Sequence, residues 1–399
     1  MALLWIGVYI LVALTAILWL GATAVHAITG LTLQISVILL GLFAGNYALY
    51  VGLKSAAFAD VVQVAMLVLG GLVIVYVALE TISGGFGVSG FVAVFQTMIE
   101  RVPDHFHLIL GPDNPYYKYV PGISVLAGGM WVINLSYWGF NQHIIQRALT
   151  AKSIREVQSG VVLAAFLKLL IPVLVVVPGV AAVLLVPHLV RPDEAYPKLM
   201  TLLPSGLLGL VFVALIAAIV ASMRSTLSSI ATIFTNDLFK LVYTKANERR
   251  LVIVGQVAAI IALAIAMIAA TPLLGHFDQA FQYIQEYNGF FTPGVVAVFL
   301  LGIFWKRTTQ TGALVAALGS PIASFIYWKF FPAIPFMERI GQVFLFCLAS
   351  SILVSGLENK RDQSSTIDTS NVDYSTSARV NCAALVIVAA LTLLYVVWR

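Results

Sequence analysis

Apolar positions fall in runs long enough to cross a bilayer, separated by short polar stretches. A spanning helix needs about 20 mainly apolar residues. By that measure about eleven runs stand out, beginning near Ala2, Leu33, Ala56, Val120, Glu156, Gly206, Leu251, Gln279, Thr311, Arg339 and Val380. The pattern predicts an all-α fold, a polytopic transmembrane helix bundle. The first run has no basic start and is too long for the apolar part of a cleaved leader, so it reads as a span. Residues 84–119 carry Pro103, His105, His107, Pro112 and Pro115 and read as an outer cap with a short helix near Phe91 to Arg101. The segment 358–377, rich in Ser, Thr and Asp, reads as a flexible inner loop.

Composition agrees. The chain is 61% hydrophobic and 10% charged, whereas a soluble domain is about a quarter charged. A surface that poor in charge cannot face water over most of its area, and the lipid bilayer is the expected partner. The net charge of +5 sits mostly in short loops, not in a stripe suited to nucleic acid. If the spans alternate from an inside N-terminus, thirteen Lys and Arg lie in inner loops and seven outside, the sense that cytoplasmic charge bias requires. That places a multi-pass chain in the cell membrane, the inner one in a Gram-negative cell.

Several chemistries are disfavoured. No stretch reads G-x-x-x-x-G-K-[ST], so no ATP phosphate cradle is present. Cys347 and Cys382 lie in apolar runs with no disulfide or metal spacing. Only His105 and His107 resemble a metal pair, and weakly. No acid/base pair or activated nucleophile is evident, which argues against an enzyme.

Polar side chains at membrane depth are costly and therefore informative. In GGMWVINLSYWGFNQHIIQR, the residues Asn134, Tyr137, Trp138 and Asn141 recur at helical spacing and form one aromatic, amide-rich face. Such a face suits a sugar, whose hydroxyls need hydrogen-bond partners and whose ring stacks on aromatics. Interhelical packing fits that face equally well. Lys168 lies well inside AAFLKLLIPVLVVVP, where it either snorkels to the interface or donates into a polar cavity. Gln282, Gln285 and Glu286 share a face, followed by Asn288, before Pro293 is expected to break the pattern. Ser222, Ser225, Thr226 and Ser229 share another, fit for Na⁺ ligation or, more commonly, for close helix packing. Asp60 starts an apolar run as a helix cap or as an acid at the inner mouth.

The strings WGFNQHIIQR, AAFLKLLIPVLVVVPG, ATIFTNDLFK, QAFQYIQEY and AVFLLGIFWKRTT follow one another on successive spans. Together they resemble the sodium/solute symporter family over essentially the whole chain, most closely its bacterial sodium/galactose (sodium/glucose) branch. The resemblance implies two inverted five-helix repeats with additional helices and a midplane solute site. Residues 1–84 would then be the last helices of the first repeat and 85–119 an outer cap. Residues 120–305 would be the second repeat, and 306–399 three further spans. By position it assigns Asn134, Lys168 and Gln285 to sugar hydroxyls, Tyr137 with the adjoining Trp138 to an inner gate, and Phe281 to an outer gate. It also assigns Ala218 and Ser222 to the sodium site and Asp60 to the sodium exit route.

The implied activity is sodium-coupled sugar symport by alternating access, with Na⁺ as the coupling ion. The same fold carrying another small solute and a membrane protein without transport activity are the competing readings. Two residues depart from the family pattern: Ala221 stands where a serine ligand is expected, and Arg224 replaces a small residue. The chain also starts at what resembles the family's fourth helix. A fragment of a longer reading frame, a subunit completed by another chain and a degenerate product all fit that start.

Overall fold

A computed structural model describes residues 2–50, 53–114, 117, 122, 124–149, 151–189, 191–275, 277, 279–358 and 375–398. The side chains of Lys54, His143 and Arg147, and residues Pro115, Lys118, His276, Lys360, Arg361 and Arg399, fall outside the description. So does most of the polar loop expected at 358–377.

Among the described residues the chain is helical, with no strand. Nine helices of the described residues are long and apolar enough to cross a membrane. This is the regular solution in lipid, because a helix satisfies its own backbone donors and acceptors where water is absent. The elements are α1 (Ala2–Thr29), α2 (Leu33–Tyr50), α3 (Leu53–Phe86), α4 (Phe91–Arg101), α5 (Gly129–Leu135) and α6 (Gln142–Ala148). They continue as α7 (Ile154–Leu185), α8 (Ser205–Val242) and α9 (Glu248–Leu274). The chain ends with α10 (Ala280–Phe304), α11 (Gln310–Phe330), α12 (Phe336–Leu357) and α13 (Ala378–Val397).

Of the eleven expected spans, the one from Leu33 is the 18-residue apolar helix α2. The run expected from Val120 is not a continuous helix: α5 passes into a π-helical turn at Ser136–Phe140, and the chain then extends at Asn141 before α6. The cap helix α4 occupies the expected residues. Side-chain caps start several elements: Asn247 Oδ1 accepts from the Arg250 amide of α9, and Thr309 Oγ1 accepts from the Gly312 amide of α11.

The chain divides into two compact units. One comprises Met1–Phe106 and Leu167–Ile284. Its main core joins Leu14 and Leu18 of α1, Leu40 of α2, Met223 and Leu227 of α8 and Ala266 of α9. A second core packs Val75 and Ile82 of α3 against Met98 of α4 and Val180 of α7.

The other unit comprises His107–Phe166 and Gln285–Arg399. Val132 of α5, Val296 of α10 and Ile340 of α12 form one cluster; Ala297, Ala316, Val343 and Cys347 form another. Here α10 runs unbroken through Pro293, contrary to the break expected from the sequence. One turn before that proline, the Ser320 hydroxyl of α11 donates to the Phe290 carbonyl at 2.8 Å. The carbonyl that Pro293 leaves without an amide donor is that of Gly289, so this bond braces the turn beside it and does not replace the lost one. The adjacent Gly294 leaves room for the Ala316 carbonyl oxygen, which would lie 2.5 Å from an added Cβ.

Candidate functional site

The two units divide the nominated residues. Asn134, Tyr137, Trp138 and Gln285 belong to the second; Asp60, Lys168, Ala218, Ser222 and Phe281 belong to the first.

In the second unit, Asn134 is exposed on α5 and its Nδ2 donates to the Met130 carbonyl at 2.8 Å. One turn on, Tyr137 and Trp138 lie in the π-helical turn, their rings edge to face at 5.5 Å and 42% and 36% exposed. A π turn holds more residues than an α turn and is often found at functional sites, because it turns side chains out of α-helical phase. That corrects one expectation. Asn141 does not continue the face of Asn134, since its backbone is extended (φ −89°, ψ 116°) and the helix ends before it. Phe140 closes the turn by stacking on Phe299 of α10 at 4.7 Å. Gln285 is half-buried on α10, about 21 Å along the helix from Phe299. The structure therefore pairs Tyr137 with Trp138 and places Gln285 well apart from their anchoring contact.

In the first unit, Lys168 is exposed at the last residue of the first α-helical stretch of α7. The chain leaves helical geometry at 169–170 and resumes as a π turn at Pro172–Val176. Proline cannot donate to the carbonyl four residues earlier and its ring crowds it; here that carbonyl belongs to Lys168. Local sequence thus opens the helix at its one internal lysine. Asp60 is half-buried inside α3, which begins seven residues earlier at Leu53. The cap reading is corrected, because the polar start of the run also folds as helix. Phe281, 64% exposed, lies in the first turn of α10. That turn is held by Asp193, whose Oδ2 accepts from the Ala280 amide at 2.9 Å, and by Tyr283, whose hydroxyl donates to the Leu11 carbonyl at 2.7 Å.

On α8 the Ser222 hydroxyl donates to the Ala218 carbonyl at 3.0 Å. The two oxygens are thus held side by side, and Ser222 remains exposed. Neutral carbonyl and hydroxyl oxygens are hard donors suited to a hard cation, and these two would form part of its shell. Ser225, Thr226 and Ser229 differ: they are buried, and Thr226 and Ser229 bond back to the carbonyls of Ser222 and Ser225. Close packing accounts for them. Arg224 is 7% exposed, and its Nε has no hydrogen-bond partner. Among the described residues no group of three His, Cys, Asp or Glu side chains is placed to hold a metal ion.

Sequence reasoning missed an ion pair beside Gln285. Glu286 of α10 and Arg339 of α12 meet at 3.1 Å, with side chains 15% and 12% exposed. The preceding Glu338 accepts from the Tyr117 hydroxyl at 3.2 Å. The available signal was two opposite charges at the ends of neighbouring apolar runs, but their pairing depends on how α10 and α12 pack.

Comparison with known proteins adds the lineage. The sodium/glucose cotransporter of Vibrio parahaemolyticus is 43% identical over 416 aligned positions, covering 99% of this chain and 76% of that protein. The sodium/myo-inositol cotransporter 2 of Mus musculus is 31% identical over 82% of this chain. The match takes in 53% of that protein, so the chain spans about half the length of this animal relative. A solved Na⁺-coupled sialic acid symporter, in a substrate-bound outward-open state, superposes with a TM-score of 0.74 at 20% identity. That superposition covers 91% of this chain and 75% of the other and establishes a shared fold. The model of the sodium:solute symporter family matches residues 1–319, and with the helical architecture described above this places the chain in that family.

Proposed function

We propose that the chain works in sodium-coupled sugar symport in the cell membrane, the inner membrane of a Gram-negative host. The observation that carries this reading is the 43% identity to a sodium/glucose cotransporter across 99% of the chain. The site geometry supports it at two places. The exposed Tyr137–Trp138 pair, with Asn134 one turn away, offers an aromatic surface and an amide to a pyranose ring. The adjoining Ala218 and Ser222 oxygens offer part of a shell for Na⁺, the coupling ion. On this reading Lys168 and Gln285 serve further sugar hydroxyls, Phe281 serves as an outer gate and Asp60 lies on the sodium exit route. Residues 1–84 and 120–305 contribute to the two repeats whose relative rocking gives alternating access.

Proteoliposomes containing the purified chain test this directly. An inward Na⁺ gradient should drive accumulation of labelled glucose or galactose, and an equal K⁺ gradient should not. Ser222→Ala should raise the Na⁺ concentration for half-maximal uptake about tenfold, the scale of one lost ligand interaction. Absence of Na⁺-dependent uptake of any sugar would overturn the proposal. The kinship with a myo-inositol cotransporter favours a cyclic polyol as second candidate, and competition by unlabelled inositol decides between them.

A further inference from the structure

A groove of about 300 Å³ runs between α8 and α9, away from every residue assigned above. Its polar lining is Ser228, Thr232 and Thr235 of α8 with Gln256 of α9, and its apolar walls include Leu227 and Val252. The Thr232 and Thr235 hydroxyls donate to the Ser228 and Ala231 carbonyls at 2.8 Å, which leaves their oxygens free to accept. The helices approach closely at Gly255, where an added Cβ would lie 3.3 Å from Thr235 Cγ2.

The end of the groove at Thr235 and Leu251 lies nearest the α8–α9 connection. That connection carries four cations, Lys240, Lys245, Arg249 and Arg250, against two acids, Asp237 and Glu248. Arg250 lies over the rings of Phe239 and Tyr243 at 5.9 and 5.1 Å, which ties the basic end of α9 to the end of α8. Arg249 is exposed and stands seven residues before Gln256, two turns away on the same face and about 10 Å along the axis.

A cation at the rim, an amide and a hydroxyl about 10 Å deeper and apolar side chains beyond them match the vertical order of a glycerophospholipid: phosphate, glycerol esters, acyl chain. We propose that this groove is a binding site for an anionic phospholipid of the inner leaflet. Arg249 holds the phosphate, Gln256 and Thr232 face the ester region, and an acyl chain lies along Leu227 and Ala259, the lining residues of the two helices farthest from the rim. Basic pockets between membrane helices on the cytoplasmic side are suited to such headgroups. The apolar wall selects a lipid over a free anion. The inference is independent of which solute is carried.

Native mass spectrometry of the purified full chain in detergent tests it, with dioleoylphosphatidylglycerol and dioleoylphosphatidylcholine added in equal amounts. The anionic lipid should be retained preferentially. Arg249→Gln should cut that retention about fivefold, the weight of one interfacial cation, and Gln256→Leu should also lower it. Lys152→Gln, an equal charge loss in the other unit, should leave it unchanged. Equal retention of the two lipids, an equal loss with Lys152→Gln, or displacement of the lipid by equimolar inorganic phosphate would each overturn the proposal. Should Arg249→Gln fail to fold, the competition between lipids on the unaltered protein decides the matter alone.

Discussion

The Glu286–Arg339 pair shows what one side chain does in this setting. Both partners are mostly buried, so each charge is tolerated because the other is present. Arg339→Ala should therefore destabilise the protein by about 3 kcal/mol, since it strands a buried carboxylate on the helix that carries Gln285. Thermal unfolding in detergent measures this, and Arg339→Ala/Glu286→Gln should recover much of the loss. A single variant as stable as the unaltered protein would show that water or lipid headgroups already solvate the pair. Arg224 contrasts with it, buried with an unpartnered Nε two positions beyond Ser222. Its position in a polar stretch of an apolar run was visible in the sequence; its burial was not, because neighbouring helices supply it.

At the scale of elements, close approach decides which helices pair. A Cβ at Gly129 of α5 would overlap the Met337 carbonyl oxygen of α12. A carbonyl in a helix cannot swing away as a side chain can, so α5 and α12 would have to separate. Gly129→Ala should cost about 1–3 kcal/mol of stability, and Gly129→Val more. Gly139→Ala, with open space around its position, is the matched control. Unfolding midpoints in detergent should fall from Gly139→Ala through Gly129→Ala to Gly129→Val, and a tolerated Gly129→Val would place the α5–α12 contact elsewhere. The π turns at Ser136–Phe140 and Pro172–Val176 belong to this scale as well. Pro172 marked the second in the sequence, but nothing local marked the first. Apolar periodicity reports an average helix, whereas one extra residue in a turn is set by packing such as Phe140 on Phe299.

For the molecule as a whole, Asp193 links the connection after α7 to the first turn of α10. Burial pushes its carboxyl above the ordinary carboxylate range, against the opposing pull of the Ala280 amide and Arg191. A raised folded pKa means that folding favours the protonated form. This contribution to stability is full below about pH 4, the ordinary value, and is lost as pH rises through the raised one. Asp193→Asn keeps an acceptor for the Ala280 amide and removes the titration. Relative to this variant, the unaltered protein should lose stability as pH rises from about 4, and thermal unfolding across that range would show it. The opposite slope would mean that the amide and Arg191 outweigh burial.

The sequence by itself determined the membrane habit, the helical class, the positions of most spans and the lineage. All of these follow from the length of apolar runs and from strings such as WGFNQHIIQR, which act locally or by descent. Only the tertiary structure decided that α10 continues through Pro293, that Asp60 lies inside a helix, and that Asn141 leaves the face of Tyr137. It alone paired Glu286 with Arg339. Each of these depends on which atoms of other helices lie nearby, and periodicity along one helix carries no record of its neighbours.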